Sequence, residues 1–419
     1  MAAATVPTAQ SLDASDTLAP YRDQFHIPTG PDGQPTAYLN GNSLGLQCHG
    51  ALAELTRETD RWAAHGVGGW HDPQGAWLPY HEHFAEPLAR LVGALPREVV
   101  AMGALSTNLH LLLASFYQPR GTRDVVVMEA AAFPSDLYAI KSHLRLRGVP
   151  EDRLVLLEPL PGEATLRTEA ILTALEKLGP RLALVLLGGV NYLTGQFFDL
   201  KPIVAATHRV GGLFLTDLAH AIGNVPLALH DWQVDGAAWC SYKYLNGGPG
   251  AVAGLFVHER HLVRPDINRL EGWWGHDKAT RFAMPPDFLP IPTAEAWQIS
   301  TPSILSMAPL RGALQLFDQA GLPALRAKSV ALTQFALDRL AELPAGRVEV
   351  LTPLDPTARG SQLSLRVPGA SKAVHQALLD AGVVCDFRSP DIIRIAPAPL
   401  YNSFADVERF VATLARLLG

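Results

Sequence analysis

Cysteine is scarce: Cys48, Cys240 and Cys385 are the three in 419 residues. They lie too far apart for a paired disulfide framework or a four-ligand metal site. A reducing cytoplasm suits such a chain. Long apolar runs are also missing, and the longest, from Leu182 to Val190, is far too short to span a bilayer. The start, from Met1 to Pro7, lacks the basic-then-apolar order of a signal peptide. A cytoplasmic protein with no membrane partner is the expectation. No basic stripe accompanies the net charge of -6, which argues against nucleic acid. No internal repeat is visible, and no low-complexity segment exceeds the alanine-rich start.

What is present suits a globular enzyme, with 48% hydrophobic and 18% charged residues. The length exceeds one ordinary core, so two domains are expected. Residues 1–45 are read as an N-terminal arm that packs on the smaller domain, 46–305 as a large domain and 306–419 as a small α+β one. The spacing predicts helices over 51–65, 77–93, 108–117, 135–147, 168–178 and 200–210. Apolar runs at 99–102, 125–128, 154–157, 182–187 and 212–217 read as strands between them. Buried strands separated by helices of that length make a parallel or mixed sheet covered on both faces. Beyond residue 305, two helices (308–320 and 322–342) precede strands at 348–351, 362–367, 383–387 and 392–395, and a helix over 403–418 follows.

Chemistry concentrates in two segments. In Cys240-Ser241-Tyr242-Lys243-Tyr244-Leu245-Asn246-Gly247-Gly248 a lone lysine stands between an apolar stretch and a glycine-rich one. Burial favours the neutral amine, the form that attacks a carbonyl. Upstream, Leu213-Phe214-Leu215-Thr216-Asp217 ends an apolar strand on a carboxylate, which is costly to bury unless a cation meets it. Pyridoxal phosphate answers both, with an aldehyde for Lys243 and a ring nitrogen that becomes cationic against Asp217. Taken singly, Asp217 reads as a helix N-cap and Lys243 as a solvated loop lysine. Together, at strand ends that can share a crevice, they point to the cofactor.

His220 either braces Asp217 or contacts the cofactor, or merely caps a turn. Tyr242 is a candidate phosphate ligand or proton donor, or simply a buried strand aromatic. Two helix starts could hold a phosphate, Leu105-Ser106 and Phe133-Pro134-Ser135-Asp136, and ordinary capping explains either. The first is favoured for phosphate, with Phe133 available to stack on a pyridine ring. Gly247-Gly248-Pro249-Gly250 lacks the order of a dinucleotide fingerprint. His81-Glu82-His83 reads as a solvated helix surface rather than a metal site, because residues two apart on a helix do not share a face. Trp273-Trp274-Gly275-His276 is an aromatic loop of the kind that binds planar ligands. Cys240 reads as a buried strand thiol without an activating environment.

The segments from Tyr38-Leu39-Asn40-Gly41-Asn42-Ser43 to Arg394-Ile395-Ala396-Pro397, with Asp217-Leu218-Ala219-His220, His230-Asp231-Trp232 and Ser241-Tyr242-Lys243-Tyr244 between them, resemble the kynureninase family. That resemblance implies an α/β, fold-type-I, pyridoxal-phosphate-dependent transferase-like large domain with a mixed seven-stranded sheet, and a smaller C-terminal domain. It implies that Lys243 bonds the cofactor's aldehyde, that Asp217 pairs with the pyridine nitrogen, and that His220 and Tyr242 touch the cofactor. Leu105 and Ser106 would lie at its phosphate, and Phe133, Pro134, Ser135 and Asp136 along its ring. Trp273 and Thr301 would reach it from the other subunit of a homodimer with shared active sites. Thr301 departs from the asparagine usual in the family, and either can bond a phosphate oxygen. Arg394 would take the substrate carboxylate, with Ser43 and His276 at the aryl-ketone end. The implied activity is hydrolysis of L-kynurenine, or its 3-hydroxy analogue, to L-alanine and the anthranilate. A cysteine desulfurase or another lyase or aminotransferase of the same fold is the alternative. Such desulfurases need a mobile cysteine and a histidine before the lysine, where Tyr242 stands here.

Overall fold

The computed structural model describes residues 8–369 and 372–419. Its centre is a seven-stranded sheet built from β1 (Val99–Ala101), β2 (Val125–Glu129), β3 (Leu154–Leu157), β4 (Leu182–Gly188), β5 (Leu213–Asp217), β6 (Gly236–Trp239) and β7 (Gly254–Val257). The spatial order is β1-β7-β6-β5-β4-β2-β3. β3, β2, β4, β5 and β6 run parallel, and β7 is antiparallel to both β6 and β1. The sheet is therefore mixed, as expected. Both of its faces are buried, which explains why the strands read as continuous apolar runs rather than alternating ones. In β2, Val125 and Val127 enter one core cluster while Val126 and Met128 enter another.

Helix α1 (His49–His65) precedes the sheet, and α2 (Leu105–Phe116) and α3 (Pro134–Leu146) follow β1 and β2. α2 begins three residues before the apolar periodicity does, because Leu105, Ser106 and Thr107 form a first turn with little to bury. The helix expected over 77–93 is instead a 3-10 turn, Tyr80–Phe84, followed by an α-helix, Ala85–Val92. Trp77 is drawn into the core by a bond from its Nε1 to Glu58 Oε2 (2.9 Å), so the chain turns there rather than coiling. His81 is likewise no surface residue: it is buried and its Nε2 lies 2.8 Å from Glu295 Oε2. β6 and β7 were not among the strands expected from the sequence, although Leu255, Phe256 and Val257 make β7 largely apolar.

Helices α4 (Ile304–Ala320) and α5 (Leu322–Ala341) lead to a four-stranded antiparallel sheet of β8 (Glu349–Val350), β9 (Leu363–Arg366), β10 (Asp386–Arg388) and β11 (Ile392–Ile395), ordered β10-β11-β9-β8. The single strand expected over 383–387 divides at Cys385. Val383–Val384 pairs in parallel with Ala37–Tyr38 of the N-terminal segment, and β10 pairs with β11. Leu363, Leu365, Ile393 and Ile395 share a core with Phe404, Val407 and Phe410 of α6 (Phe404–Leu418). The N-terminal segment is tied to this region a second time. The Asp13 carboxylate accepts from the Phe404 and Ala405 N–H groups at 2.7 and 3.0 Å, where α6 has unpaired donors. Met1 to Pro7 lie outside the described residues.

Candidate active site

β2, β4 and β5 are adjacent parallel strands, and all end at one edge of the sheet in Glu129, Gly188 and Asp217. A cavity of about 420 Å³ opens beyond that edge, where open α/β sheets bind ligands. The N-terminus of α2 and of α3, the turn after β6, and two arginines from β10 and β11 close it. Of the residues singled out in the sequence, Ser43, Leu105, Ser106, Phe133, Ser135, Asp136, Asp217, His220, Tyr242, Lys243 and Arg394 all line this cavity.

Lys243 Nζ lies 3.0 Å from His220 Nε2. Burial, then the Lys243 and Arg394 charges, hold the His220 imidazole well below its ordinary pKa, so it is a neutral acceptor for the lysine. Lys243 Nζ is also 5.9 Å from the ring centroids of both Phe133 and Tyr242. Burial raises the Tyr242 phenol, so it remains a proton carrier across the working range.

The carboxyls gather at the strand ends. Asp217 Oδ1 accepts from the Ala219 N–H at 2.7 Å. Burial raises Asp217, and burial with the charges of Asp217 and Glu129 raises Asp136 well above the usual range. Glu129, whose Oε1 accepts from the Gly188 N–H at 3.1 Å, is pushed up to about 7, chiefly by burial. Asp136 Oδ1 and Glu129 Oε2 are buried with no partner among the described residues. Buried carboxyls that face a cavity and lack acceptable partners call for a cation.

At the other end Ser106 Oγ and Ser135 Oγ approach to 2.7 Å across the first turns of α2 and α3. Two hydroxyls at helix starts, with free backbone N–H groups, suit a phosphate. Ser241 Oγ, two residues before Lys243, is buried with no partner among the described residues. A primary amine, a carboxyl nest, an aromatic face and an anion cradle in one cavity fit pyridoxal phosphate.

Arg394 is held from the small domain. It is almost wholly buried, donates from Nε to Asp386 Oδ2 at 2.7 Å and from Nη1 to the Tyr192 carbonyl. Burial lowers its pKa to about 10, so the guanidinium is cationic at neutral pH.

Four expected residues lie outside the cavity of this chain. Pro134 occupies the first turn of α3, with its ring off the cavity wall. Trp273 is 40% exposed and its indole N–H donates to the Arg281 carbonyl. Thr301 is exposed. His276 is buried, with Nε2 3.0 Å from Thr280 Oγ1 and Nδ1 accepting from the Leu289 N–H. Conversely, Asn42, Glu129, Tyr192 and Arg388 line the cavity without having been singled out. Glu129 carried a usable signal, since β2 ends on a carboxylate just as β5 does.

The three thiols are all buried. Burial pushes Cys240 up to about 11 and Cys385 up to about 12, while Cys48 Sγ accepts from the Ala51 N–H at the start of α1. None has the environment of a nucleophile.

Fold and site together define a pyridoxal-phosphate-dependent enzyme of fold type I. Solved structures with the same fold include a C-DES variant with glycine covalently linked to its PLP cofactor. Its TM-score is 0.79 at 21% identity, covering 94% of this chain and 98% of that one. The cysteine desulfurase CsdA from Escherichia coli matches with TM-score 0.77 at 20% identity over 96% and 98%. Identities that low speak for the fold alone. The sequence is more specific. The model of the kynureninase C-terminal domain matches residues 325–414. A kynureninase from Myxococcus xanthus is 56% identical over 97% of this chain and 96% of its own. One from Koribacter versatilis is 48% identical over 99% and 100%. The chain belongs to the kynureninase family.

Proposed function

We propose that this enzyme cleaves L-kynurenine hydrolytically to anthranilate and L-alanine, with 3-hydroxykynurenine as an alternative substrate giving 3-hydroxyanthranilate. The observation that carries this reading is the meeting in one cavity of the Lys243–His220 pair, the Asp217–Asp136 carboxyls and the buried Arg394, within a chain of this family. Bound pyridoxal phosphate supplies an aldehyde for the amino acid and an electron sink for the carbanions at its α and β carbons.

The protein's own groups do the rest. Leu105, Ser106 and Ser135 fix the phosphate end, and Phe133 covers the ring face. Asp217, backed by Asp136, holds a proton at the ring nitrogen. Arg394 orients the substrate carboxylate, a task for which a planar two-pronged donor is suited. Lys243, once released, removes the α-proton, and His220 accepts its hydrogen bond while it does so. Ser43 lies at the mouth, where the aryl ketone is hydrated. The Tyr242 phenol delivers the proton that quenches the β-carbon when the Cβ–Cγ bond breaks.

Trp273 and Thr301 fit this reading as contributions from a second copy in a homodimer with shared sites, while His276 is read at the aryl-ketone end. The places of Trp273 and Thr301 outside this chain's own cavity suit that arrangement. The division into an N-terminal segment over 1–45, a large domain over 46–305 and a small one over 306–419 belongs to the same proposal. So does a cytoplasmic location, with which the three free thiols agree; no helix among the described residues is long and apolar enough to cross a membrane.

The test is to incubate the purified protein with L-kynurenine and follow anthranilate fluorescence beside alanine. Equimolar anthranilate and alanine are expected. A yellow, borohydride-reducible protein that forms neither product overturns the substrate assignment and leaves the cofactor in place.

A further inference from the structure

One carboxylate serves two arginines that line the cavity. Asp386 and Arg394 are cross-strand partners of β10 and β11, and Arg388 follows Asp386 by two residues on the same edge strand. Residues two apart on a strand share a face. Accordingly Asp386 Oδ2 accepts from Arg388 Nε at 3.0 Å and from Arg394 Nε at 2.7 Å, with Arg394 Nη2 on the same oxygen. Arg388 and Arg394 both line the cavity, while Arg388 is also substantially solvated.

A guanidinium has five N–H donors. In Arg394 the Nε donor and one Nη2 donor go to Asp386, and one Nη1 donor goes to the Tyr192 carbonyl. What remains is one donor on each terminal nitrogen, enough to meet the two oxygens of a carboxylate. The bonds already made fix the plane of the group, so the free pair is aimed before any ligand arrives. Asp386 would by itself repel an incoming carboxylate. Arg388 offsets that charge, and the three side chains carry one net positive charge.

We propose that Asp386 is a positioning residue for Arg394, and that Arg388 neutralises Asp386, so that the site presents one oriented two-donor fork for the carboxylate of an α-amino acid. This rests on Arg394 as the carboxylate partner, as proposed above. The alternative built into the same geometry is that Asp386 competes with the substrate for Arg394.

Steady-state kinetics with L-kynurenine decide between them, on holoenzymes whose cofactor absorbance confirms loading. The affinity for L-alanine, read as a shift of that absorbance, serves as a second readout. Asp386→Asn is expected to raise KM roughly tenfold, the effect of loosening one charge-assisted contact, with a much smaller change in kcat. L-alanine affinity should fall in parallel. Arg388→Ala is expected to raise KM when Asp386 is present and to do little in the Asp386→Asn background, because the charge it offsets is then gone. An Asp386→Asn enzyme with KM unchanged or lowered overturns the proposal. Arg394→Lys separates the two levels. If it leaves KM at the native value, the assignment of Arg394 itself fails. If it raises KM while Asp386→Asn does not, Arg394 stands and only the role of Asp386 falls.

Discussion

Lys243 Nζ and His220 Nε2 face each other at 3.0 Å in a pocket that keeps the imidazole neutral. A neutral histidine can accept from the ammonium and so hold the lysine in place between proton transfers. Under the proposed reading, replacing Lys243 by Ala removes the base and the covalent anchor together. Turnover should then fall by roughly a thousandfold or more, within the range for loss of a positioned acid–base group. Borohydride reduction followed by mass spectrometry should find no cofactor retained on the protein. His220→Gln keeps a hydrogen-bonding amide in the same space, so it should retain the cofactor and lose turnover about tenfold or more. A variant with native turnover would remove His220 from the lysine's support.

Tyr242 offers a sharper separation of roles. Its phenol lines the cavity beside Lys243 and burial keeps it protonated. Tyr242→Phe preserves the ring and deletes only the hydroxyl. If the phenol quenches the β-carbon, the variant should bind cofactor and substrate normally and lose turnover by about a hundredfold. A single-turnover experiment should show the steps up to bond cleavage unaffected and alanine formation slowed relative to the first anthranilate. Full turnover in this variant would assign that proton to another group.

Glu129 links the site to stability. Its carboxyl moves from an ordinary 4.5 up to about 7 because folding buries it. The folded state therefore binds more protons than the unfolded one between those values. The sign follows: stability from this group is complete below about 4.5 and is lost as pH rises through about 7. Asp136 and Asp217, both raised, act in the same direction. Thermal midpoints of the cofactor-free protein should fall across that window. The cofactor's ring nitrogen, as a cation, should flatten the fall when bound. Glu129→Gln removes one titration and should reduce the slope; an unchanged slope would place the effect on the aspartates alone.

Much of this was legible in the chain, and the reasons differ by element. β4 and β5 announced themselves because both of their faces are buried and Asp217 ends one of them. Lys243 and Asp217 stood out because charge at the end of an apolar run is expensive. β6 and β7 were quieter. In β6, Gly236 is small because a Cβ there would meet Leu215 and Leu112 side chains at 2.9 and 3.0 Å. In β7, Gly254 leaves room for the Trp239 ring. In β6 close packing had removed the bulky residues that mark a strand, whereas β7 keeps Leu255, Phe256 and Val257 beside its glycine. The Asp386–Arg388–Arg394 cluster was invisible for another reason, since it depends on register between β10 and β11. His81 is buried although its neighbours suggest a solvated helical face, because the segment is a 3-10 turn that packs against Glu295.

The contact between α1 and α4 gives a stability prediction independent of the chemistry. Gly50 and Gly312 bring the two helix backbones together. A Cβ on Gly312 would stand 2.2 Å from the Gly50 carbonyl carbon and 2.6 Å from the Ala51 nitrogen. Both obstacles are backbone, so no side chain can swing aside. In the middle of a helix, alanine is intrinsically the better residue by about 0.5–1 kcal/mol, so propensity alone predicts that Gly312→Ala stabilises. Packing predicts the opposite, because overpacking a close contact costs about 1–3 kcal/mol and here the helices must move apart. The second effect should win, and the variant should be net destabilised by roughly 1–2 kcal/mol in urea titration. The same substitution at Gly346, where a Cβ meets nothing within 4 Å but φ is +81°, tests the other contribution. Its cost should come from the left-handed backbone alone. A stabilised Gly312→Ala would mean that α1 and α4 can separate freely.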